Sequence, residues 1–178
     1  AFLKEADAVA LFPGGFGTLD EAMEALTLLQ TGKRNPMPLV LIDEPDGTYW
    51  SRWLKFFKNE VLVQGYISEM DFRLFERVDS VDEAVKRIDR FYRRYHSLRY
   101  VRERLVIRLN TPLDQEKVEK VKHNFRDILT PRGDLSLSEP LPEESDEPEI
   151  AHLPRLLIDF NRKDFGRLRE LIDVINGD

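Results

Sequence analysis

Apolar residues along the chain fall into short unbroken runs separated by longer periodic stretches, and this alternation predicts an α/β fold. Ala8-Val9-Ala10-Leu11-Phe12 and Pro38-Leu39-Val40-Leu41-Ile42 are continuous apolar runs of strand length. That is the pattern of parallel strands buried on both faces. Between them Ala22, Met23, Leu26 and Leu29 recur at helical spacing, and Gly32 is placed to cap the helix end. Strand, helix, strand in this order predicts a parallel βαβ unit with a right-handed crossover.

Further along, Glu44-Pro45-Asp46-Gly47 marks a turn. Trp50, Trp53, Leu54 and Phe57 then lie at i, i+3, i+4 and i+7, predicting an amphipathic helix. Phe72 to Val78 reads as a short strand. Ser80-Val81-Asp82-Glu83 has a capping-box pattern and opens a helix expected to run to about Tyr95. The character changes near His96. Strands are expected at 105–109 and 156–160, and helices at 114–129 and 165–175. Residues 139–149, acidic and rich in proline, are expected to form an exposed loop or linker. The expected fold is therefore a partial Rossmann-like parallel sheet with helices on both faces over residues 1–95, followed by a small α+β module over 96–178. Ala1 to Asp7 reads as the last turns of a helix already under way. Because a parallel strand needs partners, native residues preceding Ala1 are expected.

Composition narrows the function classes. The 178 residues are 42% hydrophobic, enough for a core, and 34% charged, with a formal net charge of −6. The acidic balance argues against nonspecific nucleic-acid binding. The absence of cysteine excludes disulfides, zinc thiolate sites and a thiol nucleophile, and makes a cytoplasmic protein the simplest expectation. No apolar run approaches the ~20 residues that cross a bilayer.

The chemistry concentrates at Pro13-Gly14-Gly15-Phe16-Gly17-Thr18, between the first strand and the first helix. Glycines let an anion approach backbone N–H groups, and the helix N-terminus adds roughly half a positive charge. The spacing is neither the Walker A pattern nor the complete dinucleotide fingerprint. Thr18-x-x-Glu21 is equally a capping box, on which reading the glycines are only a tight turn. Residue types alone leave both readings open.

The stretch resembles the PGGxGTxxE motif of the Lonely Guy (LOG) family, cytokinin riboside 5′-monophosphate phosphoribohydrolases, and of the related bacterial nucleotide 5′-monophosphate nucleosidases. Thr27, Gln30 and Gly32 are similar to the family's T-x-x-Q-x-G continuation. The resemblance covers roughly residues 1–95. It implies hydrolysis of the N-glycosidic bond of a nucleoside 5′-monophosphate, giving free base and ribose 5-phosphate through an oxocarbenium-like state. It also implies the site residues. Gly14, Gly15, Phe16, Gly17 and Thr18 would hold the 5′-phosphate, Thr27 would assist binding, and Glu21 would sit at the ribose as the catalytic carboxylate. Glu21 is expected to stabilise developing positive charge or orient water. No metal or cofactor is implied, and a homodimer is. The family's Arg-Lys pair would lie upstream of this strand, before the chain begins. A phosphate and Glu21 put like charges at one helix end, so such a cation is physically needed. Asp20 stands where plant members usually have Glu. An older lysine decarboxylase label attaches to some relatives, but nothing here marks a pyridoxal-phosphate lysine.

Other candidates are weaker. His96, His123 and His152 lack evident metal-ligand spacing. Asp43 follows the second strand, where it either touches substrate or starts a turn. A basic run from Lys86 to Arg104, with Phe91, Tyr92, Tyr95 and Tyr100 interleaved, is either a solvated helix face or a platform for nucleic acid or a subunit. The alternative to hydrolysis is a nucleotide-binding or carrier module.

Overall fold

The computed structural model describes residues 5–177 and separates them into two units, meeting between Arg90 and Phe91. In the first unit β1 (Val9–Leu11), β2 (Leu39–Ile42) and β3 (Glu76–Val78) form a parallel sheet in the order β1-β2-β3. Val9 pairs with Leu39, and Val40 with Glu76. All four residues of β2 are buried, because this central strand has a helix layer on each side. Leu39 and Leu41 pack with Ala22, Ala25 and Leu29 of α1 (Phe16–Gln30) and with Trp50 of α2 (Tyr49–Phe56). Val40 and Ile42 point the other way, against Ala84 and Ile88 of α3 (Val81–Phe91). Period-two alternation in one strand thus feeds two cores, and the Rossmann-like expectation holds.

Local chemistry sets the ends of α1. Gly32 at φ 67° follows the Thr31 cap, and its amide donates to the Leu29 carbonyl at 3.2 Å, the left-handed termination expected of that glycine. The aromatic helix continues beyond Phe56 as a π-helical turn, Phe57–Leu62. The apolar run before β3 is mostly a 3₁₀ turn, Glu69–Leu74, leaving only three residues of strand. A Ser68–Asp71 capping box holds that turn.

The second unit is an antiparallel sheet in the order β4-β5-β7-β6, built from β4 (Tyr95–Val101), β5 (Arg104–Leu109), β6 (Leu135–Ser138) and β7 (Arg155–Ile158). With α4 (Gln115–Asn124) and α5 (Phe165–Asn176) it is an α+β module. Leu105, Ile107, Leu156 and Ile158 share one core with Val118, Val121, Leu171 and Ile172 of the helices. α3 ends at Phe91 rather than near Tyr95, because Asn176 takes over the backbone there. Its Oδ1 accepts from the amides of Arg94 and Tyr95, both at 2.8 Å.

The opposite face of this sheet carries Arg108 and Arg155, which are directly paired across β5 and β7. The segment after β6 lies over them. Glu144, from the acidic proline-rich stretch, is buried, with Oε1 2.8 Å from Arg108 Nε and Oε2 3.2 Å from Arg155 Nε. Its neighbours in sequence remain largely exposed. Two like charges side by side on a sheet are unfavourable unless an anion lies between them, and Glu144 is that anion.

Candidate functional site

The glycine loop leaves the carboxyl end of β1 and becomes the first turn of α1. Gly15 is the N-cap, at φ −88° and ψ −155°, and no side chain caps the helix. Thr18 is therefore inside the first turn, and the Thr18–Glu21 capping box does not form. The first intrahelical donor is the Leu19 amide, to the Gly15 carbonyl at 3.2 Å. The amides of Phe16, Gly17 and Thr18 precede it and belong to the set a helix leaves unbonded at its start.

The glycines themselves separate the two readings of the loop. Gly14, Gly15 and Gly17 are not among the residues at positive φ, so left-handed backbone does not require them. At Gly14 a Cβ would collide with the Thr18 hydroxyl and come within 2.9 Å of Thr18 Cβ. At Gly15 and Gly17 a Cβ would meet nothing within 4 Å. Those two glycines leave open space over the amides, as close approach of a ligand to the backbone requires. Phe16, almost wholly exposed at 95%, stands beside that space.

Glu21 lies one turn further along α1. Its Oε2 is buried and has no hydrogen-bond partner among the described residues. An unpartnered buried carboxylate oxygen is costly, and in a native fold such an atom calls for an explanation, a catalytic role or a bound water or ion among them.

Across the crevice stands α2. Tyr49 Oη donates to the Gly14 carbonyl at 2.6 Å. Tyr49 and Arg52 line a hollow of ≈ 460 Å³ together with Pro13, Asp43, Glu44 and Thr48. It sits at the carboxyl ends of β1 and β2, where open α/β sheets receive ligands. Sequence reasoning missed Tyr49 and Arg52, because the contact joins positions 35 residues apart and local pattern carries no sign of it. Asp43 is fully committed to the fold. Its Oδ1 accepts from the Trp50 amide at 3.1 Å and its Oδ2 from Arg77 Nε at 2.9 Å, so it is a turn anchor. Asp43 heads the forces raising the Arg77 pKa, with burial opposing and Asp79 adding.

Thr27 is not brought to the loop. It is six residues beyond Glu21, about 9 Å along the helix and about 120° around it. There it borders a separate apolar hollow of ≈ 110 Å³ with Met23, Leu26, Trp53 and Phe72.

No cluster of three metal-ligating side chains occurs among the described residues. Burial, followed by Arg108, lowers the pKa of His96. The basic run is largely engaged internally. Arg87 pairs with Glu76 and Glu83, Arg99 with Asp146 and Glu147, Arg102 with Glu143, and Arg104 with Asp159. Phe91, Tyr92 and Tyr95 pack into the second core. No described helix is long and apolar enough to cross a membrane.

A parallel βαβ sheet with an open glycine turn on its first strand defines a Rossmann-type fold, a class that receives ligands at the carboxyl ends of its strands. A family described as "possible lysine decarboxylase" matches residues 1–88. Over 89 residues the chain is 32% identical to cytokinin riboside 5′-monophosphate phosphoribohydrolase LOG7 of Arabidopsis thaliana, covering 49% of this chain and 39% of that protein. It is 28% identical to LOG1 of the same plant over 96 residues, covering 53% and 43%. The corresponding enzyme described as probable, LOGL3 of Oryza sativa subsp. japonica, is 29% identical over 89 residues, covering 49% and 40%. Through its first unit the chain is similar to the LOG enzymes, and it spans about two fifths of the length of these relatives. Pyridoxal phosphate is held by a lysine inside a pocket, and the described lysines of the first unit, Lys33, Lys55, Lys58 and Lys86, are all exposed.

Proposed function

We propose that the protein hydrolyses the N-glycosidic bond of nucleoside 5′-monophosphates, of the AMP or cytokinin riboside monophosphate type. The observation that carries this reading is the pairing of open first-turn amides with the unpartnered Glu21 carboxylate on one helix. The names of the relatives support the same chemistry. The 5′-phosphate sits over Gly15 to Thr18, where N–H dipoles complement its charge. The C1′–N bond breaks with its electron pair going to the base. Water adds to C1′, and its proton leaves to solvent or base, giving ribose 5-phosphate. Glu21 stabilises the positive charge that develops at C1′ or orients the water. In this reading the protein is a homodimer, and Thr27 serves a site only from a face its own loop does not reach.

The test is turnover of AMP and related monophosphates by the intact protein, following free base and ribose 5-phosphate. Glu21→Gln is expected to lower kcat by about a hundredfold or more, with binding retained. Full turnover in that variant removes Glu21 from the chemistry. Binding without product in the wild type points instead to a carrier.

A further inference from the structure

The hydrolase reading leaves one electrostatic demand unmet. A phosphate dianion and the Glu21 carboxylate at one helix end repel, and amide dipoles alone supply only about half a positive charge. The described part of the crevice offers a cation that no motif marks. Arg52 lines the hollow shared with Pro13 at the start of the glycine turn, is exposed, and has no ion-pair partner among the described residues. Most other arginines of the described chain are engaged, including Arg77 and Arg87 in the same unit. Arg52 is three residues after Tyr49, so the two side chains share a face of α2. Tyr49 fixes that face against the loop through its 2.6 Å hydrogen bond to the Gly14 carbonyl. Thr18 leaves no room for a side chain at Gly14. Loop and tyrosine are thus joined by that hydrogen bond, and the exposed Arg52 lies one turn along the same helix.

We infer that α2 completes the monophosphate site: Arg52 binds the 5′-phosphate, and Tyr49 is the positioning residue that holds the glycine turn in register with it. This rests on the reading of the loop as a monophosphate site. A guanidinium suits the task because its forked donors match phosphate oxygens and stay charged at any working pH.

The experiment compares wild type, Arg52→Ala, Arg52→Lys and Tyr49→Phe of the intact protein. Titrations are made with AMP, with adenosine, which lacks the phosphate, and with ribose 5-phosphate, alongside steady-state kinetics. Arg52→Ala is expected to weaken AMP and ribose 5-phosphate roughly tenfold or more and to leave adenosine unchanged. KM rises and kcat stays within about twofold, because the contact exists in both ground and transition states. Arg52→Lys recovers part of the loss. Tyr49→Phe keeps the ring packing on Trp50 and is expected to lower kcat/KM about fivefold. Unchanged AMP affinity in Arg52→Ala overturns the inference, as does an equal loss for adenosine. A wild type that binds AMP without turnover defeats the hydrolase reading alone, and Arg52 is then judged from the titrations. A wild type that binds no monophosphate defeats both.

Discussion

In the first unit, Glu21 Oε2, the first amides of α1 and the Arg52 guanidinium lack partners within the described chain. On the face of the second sheet opposite its helices, Glu144 accepts from the Leu141 amide, Arg108 and Arg155, while Glu147 accepts from Arg99 and Arg108. Arg155 Nη2 is the one buried polar atom of that cluster left over. Both regions are rich in charge, but the first leaves a carboxylate oxygen, helix amides and a guanidinium open, whereas the second leaves a single guanidinium nitrogen. A fold tolerates an unsatisfied polar atom where an incoming group will satisfy it, and elsewhere spends its own side chains to avoid one. Charge count does not separate these cases; the hydrogen-bond inventory does.

The sharpest way to break the contrast is Glu144→Ala. It strands Arg108 and Arg155 in a site where their side chains are 3% and 0% exposed. The expected loss is about 3–5 kcal/mol, read by denaturant unfolding of the second unit, and a loss below ~1 kcal/mol would show the network to be dispensable. Next comes acid. Glu144 is held below its ordinary value: burial pushes it up, but the Leu141 amide, Arg108 and Arg155 together outweigh that push. Glu147 is lowered by Arg99 and Arg108, Asp127 by Arg167, and Asp134 by Lys122. All four lie in the second unit. A carboxylate with a depressed folded-state pKa contributes stability that is present above the unfolded value, 4.5 for Glu144 and Glu147 and 3.8 for Asp127 and Asp134, and lost as pH falls through the lower folded value. Amide protection factors, corrected for the slower intrinsic exchange at low pH, are thus expected to fall in β4 to β7 on acidification before those in β1 to β3. A simultaneous fall in both would contradict it.

The smallest effect on folding sharpens the other side. Gly17→Ala adds a Cβ that meets nothing in the protein and favours helix, so stability should rise by up to ~1 kcal/mol. The same methyl occupies the space over the amides, and the affinity for AMP should fall roughly tenfold, equivalent to about 1.4 kcal/mol. A variant both steadier and fully active would mean that the open space serves no ligand.

The first unit was largely legible because its buried strands are unbroken apolar runs and its helix caps are local. The glycine loop could be read as chemistry only through its resemblance to a family, since Thr18-x-x-Glu21 mimics a capping box that the helix, starting earlier, does not use. In the second unit β4 was missed. A register shift between Tyr95 and Ser97 breaks its alternation, so Tyr95, Leu98 and Val101 are buried at a spacing of three that imitates a helix. Leu-Ser-Leu-Ser of β6 is too short to stand out. Glu144 looked like any residue of a solvated acidic run, because its partners Arg108 and Arg155 are 36 and 11 residues away.

The strand order β4-β5-β7-β6 places the last strand made between two made earlier. As the chain leaves the ribosome, the β4–β5 hairpin and β6 must wait as separate pieces until Ile158 has emerged. Arg108 has no buried anion until residue 144 follows it. Closure of this sheet is therefore a late and non-local event, the kind that slows folding and leaves strand edges open in the meantime.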